Sequence, residues 1–123
     1  MMLRGREMWR SKYRNVYSRD AKADCMASVS NLMIWSDNDV ANDFTVLKNE
    51  AGEQAYHPNF LLCGMRAYRE YQRRLWDPQC PLAVPETIEE WHAHVYGAIG
   101  IFMFDLRGNR ITGAGRQGGN SIL

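Results

Sequence analysis

The stretch PETIEEWHAHVYGAIGIFMFDLRGNRITGAG, residues 85–115, decides which fold the sequence predicts. Its second half reads IFMFDLR (101–107), Gly-Asn, and RITGAG (110–115), with the alternating pattern and two-residue turn of a β-hairpin. This turn sets Arg107 opposite Arg110, so that one apolar face collects Phe102, Phe104, Leu106 and Ile111. Because a lone hairpin is only marginally stable, we expect helices, a further strand or a partner to cover it.

The first half of this stretch predicts a short helix. Thr87 and Glu90 have the spacing of a capping box, in which the two side chains close the first helical turn. Ile88, Trp91 and Val95 then recur at helical spacing. We therefore expect these three apolar residues to face the core.

The conformation of His92 and His94 stays open between helix and strand. In a helix the two side chains diverge, and His94 can pair with Glu90 four residues earlier. In a strand they point the same way and are placed to share a metal. We predict neither metal nor cofactor, because no zinc-site spacing links the pair to the remaining soft side chains, His57, Cys63 and Cys80.

The sequence upstream of residue 58 predicts two helices. Residues 19–35 carry an apolar stripe at helical spacing, made of Ala21, Cys25, Val29 and Leu32. Residues 36–39, SDND, then supply a break and candidate N-caps. The second helix follows them and ends near residues 51–52, with Val40, Phe44 and Leu47 facing inward.

The strongest helical pattern begins at Pro58 and runs to about residue 76. Its inward stripe consists of Leu61, Gly64, Met65, Tyr68, Tyr71 and Leu75. Its other side carries Arg66, Arg69, Glu70, Arg73 and Arg74, with Cys63 expected to be exposed among them. A proline-rich loop at 77–85, containing an accessible Cys80, leads to the hairpin. The sequence thus predicts an α+β fold of three to five helices packed on a C-terminal β-hairpin or small antiparallel sheet.

The N-terminal region carries most of the charge asymmetry. The net charge is only +1, yet residues 1–22 contain seven basic and two acidic side chains. Residues 1–18 interleave these cations with aromatic rings, which predicts either an arm that binds nucleic acid or another anionic partner, or an amphipathic helix that docks its rings on the body. The candidate binding residues are Arg4, Arg6, Trp9, Arg10, Lys12, Tyr13, Arg14 and Tyr17, together with Arg66, Arg69 and Arg73 of the later helix.

A catalytic interpretation combines Cys25 as a nucleophile, His92 or His94 as a base, and Asp105 as the group that orients it. The stretches DCMAS (24–28) and HAHVYGAIGIFMFD (92–105) carry this order. It resembles papain-like thiol hydrolases and transglutaminase-like domains, and the resemblance implies a cysteine opening a helix and a histidine beginning a strand. The alternative is a structural cysteine, buried in the stripe of the helix at 19–35.

Composition predicts a single domain of 123 residues with a flexible, glycine-rich tail at 116–123. No apolar run is long enough for a membrane span, and an odd number of cysteines favours a reducing compartment. We therefore expect a cytoplasmic or intracellular protein, or one associated with a virion. Our leading hypothesis is a small, non-enzymatic binding or assembly protein, such as an accessory protein of a virus or mobile element. We expect a protein partner or a second copy of the chain, and keep the thiol hydrolase and the nucleic-acid-binding protein as alternatives.

Overall fold

A computed structural model of the chain describes residues 2–41, 58–83 and 88–108. Within these ranges three α-helices precede a two-stranded antiparallel sheet, so the α+β prediction is confirmed. The helices are α1 (Met2–Tyr17), α2 (Asp20–Ser28) and α3 (Pro58–Tyr71), and the strands are β1 (His92–Tyr96) and β2 (Ile99–Met103). Short 3-10 turns lie at Asp37–Asp39 and Arg73–Leu75. None of the described helices is long and apolar enough to cross a membrane.

Helix α1 packs its aromatic side on α3. Trp9 and Tyr13 are buried against Cys63 and Ala67, and the Tyr13 ring stacks on Tyr71 with centroids 5.1 Å apart. The prediction of an exposed Cys63 is therefore wrong, because α1 covers the side of α3 that the sequence pattern left to solvent. Of the two alternatives for residues 1–18, the structure has the amphipathic helix, Met2–Tyr17, with two of its three rings directed into the protein.

The other buried side of α3 carries Met65 and Tyr68, as predicted. These side chains pack with Trp35, Val40 and Ile88 into a second apolar cluster. Leu75 was expected to extend this stripe, but it is 61% exposed, because the α-helix ends at Tyr71 and a 3-10 turn follows it.

Gly64 sets the close approach of these elements. A Cβ atom added at this position would lie 2.9 Å from Val40 Cγ2 and 3.1 Å from Trp9 Nε1. The Trp9 indole N–H in turn donates to the Asp39 carbonyl at 2.9 Å. The absence of a side chain at residue 64 thus lets α3 contact both α1 and the turn at 37–39.

Helix α2 is much shorter than the predicted helix at 19–35. It ends at Ser28. Residues 29–36, which include the buried Trp35, are not helical and lead to the turn at Asp37–Asp39. The Asn31 side-chain amide donates to the carbonyls of Met26 and Val29, at 2.9 and 2.6 Å, and so satisfies backbone groups that the helix end leaves open. Cys25 is consequently exposed, where the predicted stripe had buried it.

Residues 36–39, predicted as a break between two helices, contain the 3-10 turn Asp37–Asp39, with Ser36 at its N-cap. The Asp39 carboxylate accepts from the Ser36 backbone N–H at 2.8 Å, which fixes the start of the 3-10 turn. Val40, predicted to face inward, is buried. The helix expected to follow, with Phe44 and Leu47, lies outside the described residues.

The hairpin forms at a different place from the predicted one. β1 and β2 are joined by Gly97 and Ala98, and Gly97 takes a positive φ of 62° that suits a tight turn. The short helix expected from residue 87 to Val95 is therefore wrong, because His92–Tyr96 is a strand. The strand expected at 101–107 ends at Met103, and its predicted partner at 110–115 lies outside the described residues.

A buried ion pair joins α3 to the segment before β1. Arg69 donates to Glu90 Oε1 from Nε at 2.8 Å and from Nη2 at 2.5 Å, and both side chains are at least nine-tenths buried. Arg69 also donates to the Pro81 and Ala83 carbonyls, and so ties the loop after α3 to the same point. The charged side predicted for this helix is therefore solvated only in part.

Candidate functional site

The register of the hairpin divides its side chains between two faces. Ala93 pairs with Phe102 and His94 with Ile101, so neighbouring pairs alternate between the faces. The inner face, which packs on the rest of the protein, carries His92, His94, Ile101 and Met103. The outer face carries Trp91, Val95, Phe102 and Phe104.

The inner face rests on Trp76, just after the second 3-10 turn. The His92 ring lies 4.3 Å from the Trp76 ring, and the His94 ring lies 4.9 Å from it, nearly edge-on. The Arg73 guanidinium sits 4.2 Å from the centroid of the same indole. These contacts fix the side of the hairpin that faces the body, and thereby decide that the other side faces solvent.

The two histidine rings are hydrogen-bonded to each other. His92 Nε2 lies 3.1 Å from the Met33 carbonyl, and a carbonyl only accepts, so this nitrogen carries a hydrogen. In neutral His92 the other nitrogen, Nδ1, then accepts from His94 Nε2 at 2.6 Å. The strand geometry thus brings both histidines together, as the strand alternative predicted. Among the described residues no group of three or more metal-ligating side chains occurs.

Burial lowers the pKa of His92, and the nearby His94 and Arg73 lower it further, against the opposing effect of the Met33 hydrogen bond. The unfolded chain, with an ordinary histidine pKa of about 6.5, then binds more protons than the folded one just below that pH. We expect the free energy of unfolding to fall as the pH drops through about 6.5, with a slope approaching about 1.4 kcal/mol per pH unit. Urea denaturation across this range measures it.

The control for this pH dependence is His92→Asn, which removes the titrating group but leaves His94. The free energy of unfolding of this variant should no longer fall as the pH drops through about 6.5, even if its stability at neutral pH is lower. An unchanged slope in the variant would mean that other groups cause the acid sensitivity.

The outer face is a continuous exposed apolar surface. Phe104 is 67% exposed and Val95 is 76% exposed. The Trp91 ring stacks on Phe102 with centroids 5.6 Å apart, and Phe102 meets Phe104 edge-on at 4.8 Å. The sequence between Trp91 and Phe104 contains no Asp, Glu, Lys or Arg. The hairpin therefore presents a cluster of ordered rings with no charged side chain among them.

This exposure corrects the predicted apolar face. Phe102, Phe104 and Leu106 were expected to lie under a covering element, yet in the described part of the chain all three are about half exposed or more. The hairpin uses its histidine side for packing, because that side meets Trp76 and Met33.

The proposed catalytic residues occupy separate surroundings. Cys25 is exposed on α2, and no hydrogen bond of the described residues connects it to either histidine. Asp105 accepts from the Trp35 indole and from the backbone N–H groups of Glu90, Arg107 and Gly108. Its carboxylate therefore holds the turn after β2.

The basic residues proposed for binding are mostly engaged with the protein itself. Arg10 binds Glu70 through two 2.7 Å hydrogen bonds, and Arg66 reaches the same carboxylate at 3.0 Å, as the predicted i,i+4 pairing required. Those that pair with other carboxylates are Arg14 with Glu7, and Arg69 and Arg73 with Glu90. Arg4 and Lys12 are exposed, Tyr17 is half-buried, and Arg6 is half-buried and engaged.

Cys80 is also buried, which corrects its expected accessibility. Its thiol lies 3.6 Å from the Pro81 carbonyl, and burial raises its pKa. A raised pKa keeps the sulfur protonated, so this cysteine is suited to packing.

Comparison with known proteins gives no independent guide to the site. No protein-family model matches the chain, and no curated protein or solved structure shows significant similarity to it. The functional argument therefore depends on the contacts and exposures above.

Proposed function

We propose that this protein is a non-enzymatic assembly protein that associates with a second copy of itself through the outer face of its hairpin. The observation that carries this proposal is the cluster of exposed aromatic and aliphatic side chains, Trp91, Val95, Phe102 and Phe104. The three unpaired cysteines fit an intracellular setting for such assembly.

A protein partner suits this surface better than a small ligand. The apolar side chains lie together on an exposed face of the hairpin, and contiguous exposed patches of this kind mark protein contacts. Aromatic side chains are enriched at interface centres, where a few of them supply most of the binding energy. The ring contacts of Phe102 with Trp91 and Phe104 already restrict these side chains, so less conformational entropy is lost on binding.

A second copy of the chain suits it better than an unrelated partner. In a two-fold dimer each patch meets itself, so any charged group near the axis faces a like charge. The stretch from Trp91 to Phe104 avoids this cost because it has no charged side chain. It also lacks the charge pattern that steers a distinct, oppositely charged partner.

Phe104→Ser and Val95→Ser should each weaken self-association at least about 100-fold, since hot-spot side chains contribute about 2 kcal/mol or more and each counts twice in a symmetric dimer. Both side chains are more than half exposed in the single chain, so folding should be little affected. Analytical ultracentrifugation over a concentration series measures the dissociation constant. Leu75→Ser is the matched control, because Leu75 is 61% exposed but lies outside the hairpin.

Self-assembly is disproved if the unaltered protein stays monomeric up to about 1 mM, because a dissociation constant above that concentration means negligible affinity. It is also contradicted if Leu75→Ser disrupts the dimer while Phe104→Ser does not. Circular dichroism of each variant separates loss of association from loss of fold.

A further inference from the structure

Within the described residues the sheet has only two strands, so each strand has an edge with no pairing strand. Tyr96 and Ile99 flank the two-residue turn and exchange backbone hydrogen bonds, and every second pair along the ladder does the same. The N–H and C=O groups of Gly100 and Phe102 therefore point away from β1. No backbone hydrogen bond of the described residues reaches either of them from outside the hairpin.

β2 lacks the features by which proteins usually protect an open sheet edge. Charged side chains and proline commonly prevent the addition of a further strand, and residues 99–104, IGIFMF, contain neither. Phe102 is 48% exposed, and Gly100 is exposed as well. β1 differs, because a pair of β1 strands would bring the titratable His92 and His94 near those of the second copy. The edge of β2 is therefore the better suited to receive another strand.

The residues of β2 favour one register for an antiparallel pair of two β2 strands. A two-fold axis beside Ile101 sets this residue opposite its own copy, and it sets Gly100 of each chain opposite Phe102 of the other. Both members of that second pair have outward N–H and C=O groups, so they can exchange hydrogen bonds. A Cβ atom added at Gly100 would meet nothing within 4 Å, which leaves room for an aromatic ring from the neighbouring strand.

We propose that two copies of the chain join β2 to β2 in this register, so that their hairpins form one four-stranded antiparallel sheet. This inference rests on the proposed self-association and specifies its geometry. The Phe102 ring of each copy lies over Gly100 of the other, beside Val95, which is paired with Gly100 within the hairpin. The two outer faces then continue into each other across the axis, with no charged side chain at the junction.

Disulfide trapping tests the register, because Ile101 faces its own copy across the axis. Opposed residues that are not hydrogen-bonded to each other have Cα atoms about 4.5 Å apart, within the range of a disulfide. Ile101→Cys should therefore give a covalent dimer on mild oxidation, as seen by non-reducing electrophoresis. The background is Cys25→Ser, which removes the exposed native thiol.

Ile99→Cys in the same background is the matched control. Two copies of residue 99 would lie about 13 Å apart in this register, so this variant should give at least 10-fold less covalent dimer. Residue 99 is instead opposed to residue 103 of the second copy. A mixture of Ile99→Cys and Met103→Cys proteins should therefore cross-link, although neither protein does so alone.

Gly100→Pro tests the backbone hydrogen bonds between the strands. Proline removes the outward N–H, which the hairpin itself does not use, and proline is tolerated on edge strands. The dissociation constant from ultracentrifugation should rise at least 10-fold, because one hydrogen bond is lost from each copy. Ala93→Pro is the control: Ala93 is paired with Phe102, and its N–H also points outward but at the edge of β1, so the affinity should not change.

The outcomes separate the strand pairing from the proposed function. A protein that dimerises in the ultracentrifuge while its Ile101→Cys variant stays unlinked would meet its copy in another way, which overturns only the strand pairing. Equal effects of Gly100→Pro and Ala93→Pro would overturn it as well. A protein that stays monomeric up to about 1 mM would overturn both proposals.

Discussion

Glu90→Gln is expected to destabilise the folded chain by about 3–5 kcal/mol, the range for breaking one side of a buried ion pair. The Glu90 side chain is 1% exposed and its partner Arg69 is 7% exposed, so solvent screens the pair very little. Removal of the carboxylate charge leaves the Arg69 guanidinium buried without compensation. Arg73, 3.4 Å from Glu90 Oε2, loses a counter-charge as well.

Arg69 has no easy route to solvent in this variant, because it also donates to the carbonyls of Pro81 and Ala83. Withdrawal of the guanidinium would free the loop after α3 and leave those carbonyls without a donor. The cost should therefore appear as a lower denaturation midpoint in urea at neutral pH. Because the whole fold is destabilised, the lower midpoint should be seen with every spectroscopic probe and not with one local signal alone.

Two comparisons make this expectation specific to burial. Glu7→Gln removes an equivalent charge from the exposed pair with Arg14, and the midpoint should be unchanged. Arg69→Met combined with Glu90→Gln should cost less than the two single changes added together, because no isolated guanidinium remains at position 69. If Glu90→Gln is as mild as Glu7→Gln, the pair is not buried in solution.

Helices α1 and α3 could be predicted because the signal for each is local and long. Trp9, Tyr13 and Tyr17 repeat at four-residue spacing, and Met65 and Tyr68 continue a stripe that begins after Pro58. The pattern did not indicate that a second side of α3 packs on α1. Cys63 is buried because α1 lies over it, and nothing in the sequence near residue 63 carries that information.

The local sequence offers two possible turns for a hairpin and does not decide between them. The pairs Gly97-Ala98 and Gly108-Asn109 both follow strand-forming residues, and the second has the stronger turn composition. The first is used because His92 then meets Trp76 and the Met33 carbonyl, which are 16 and 59 residues away in sequence. Contacts of this range have no periodic signature.

The outer face of the hairpin was likewise predictable only in part. The absence of charge between Trp91 and Phe104 is visible in the sequence, and it is the one signal that could have located the outer face. Its exposure was not predictable, since it depends on which side of the hairpin packs.

Asp105→Ala is expected to cost at least about 3 kcal/mol, because four N–H donors lose their acceptor at once. Its oxygens accept at 2.8–3.0 Å from the indole of the buried Trp35 and from three backbone amides. The turn it closes is tightly packed: a Cβ atom at Gly108 would lie 2.2 Å from the Ile88 carbonyl. Chemical denaturation at neutral pH measures the loss.

Asp105→Asn separates the two oxygens of the carboxylate. An amide oxygen at the Oδ1 position keeps the bonds from Trp35, Arg107 and Gly108, while its NH₂ group opposes the Glu90 N–H. We expect this variant to cost about 1–3 kcal/mol, less than alanine. Because Phe104 adjoins Asp105, Asp105→Ala should also weaken self-association more than Asp105→Asn does. Equal stability of the two variants would mean that the Oδ1 bonds do not hold the turn, and that the outer face is ordered by other contacts.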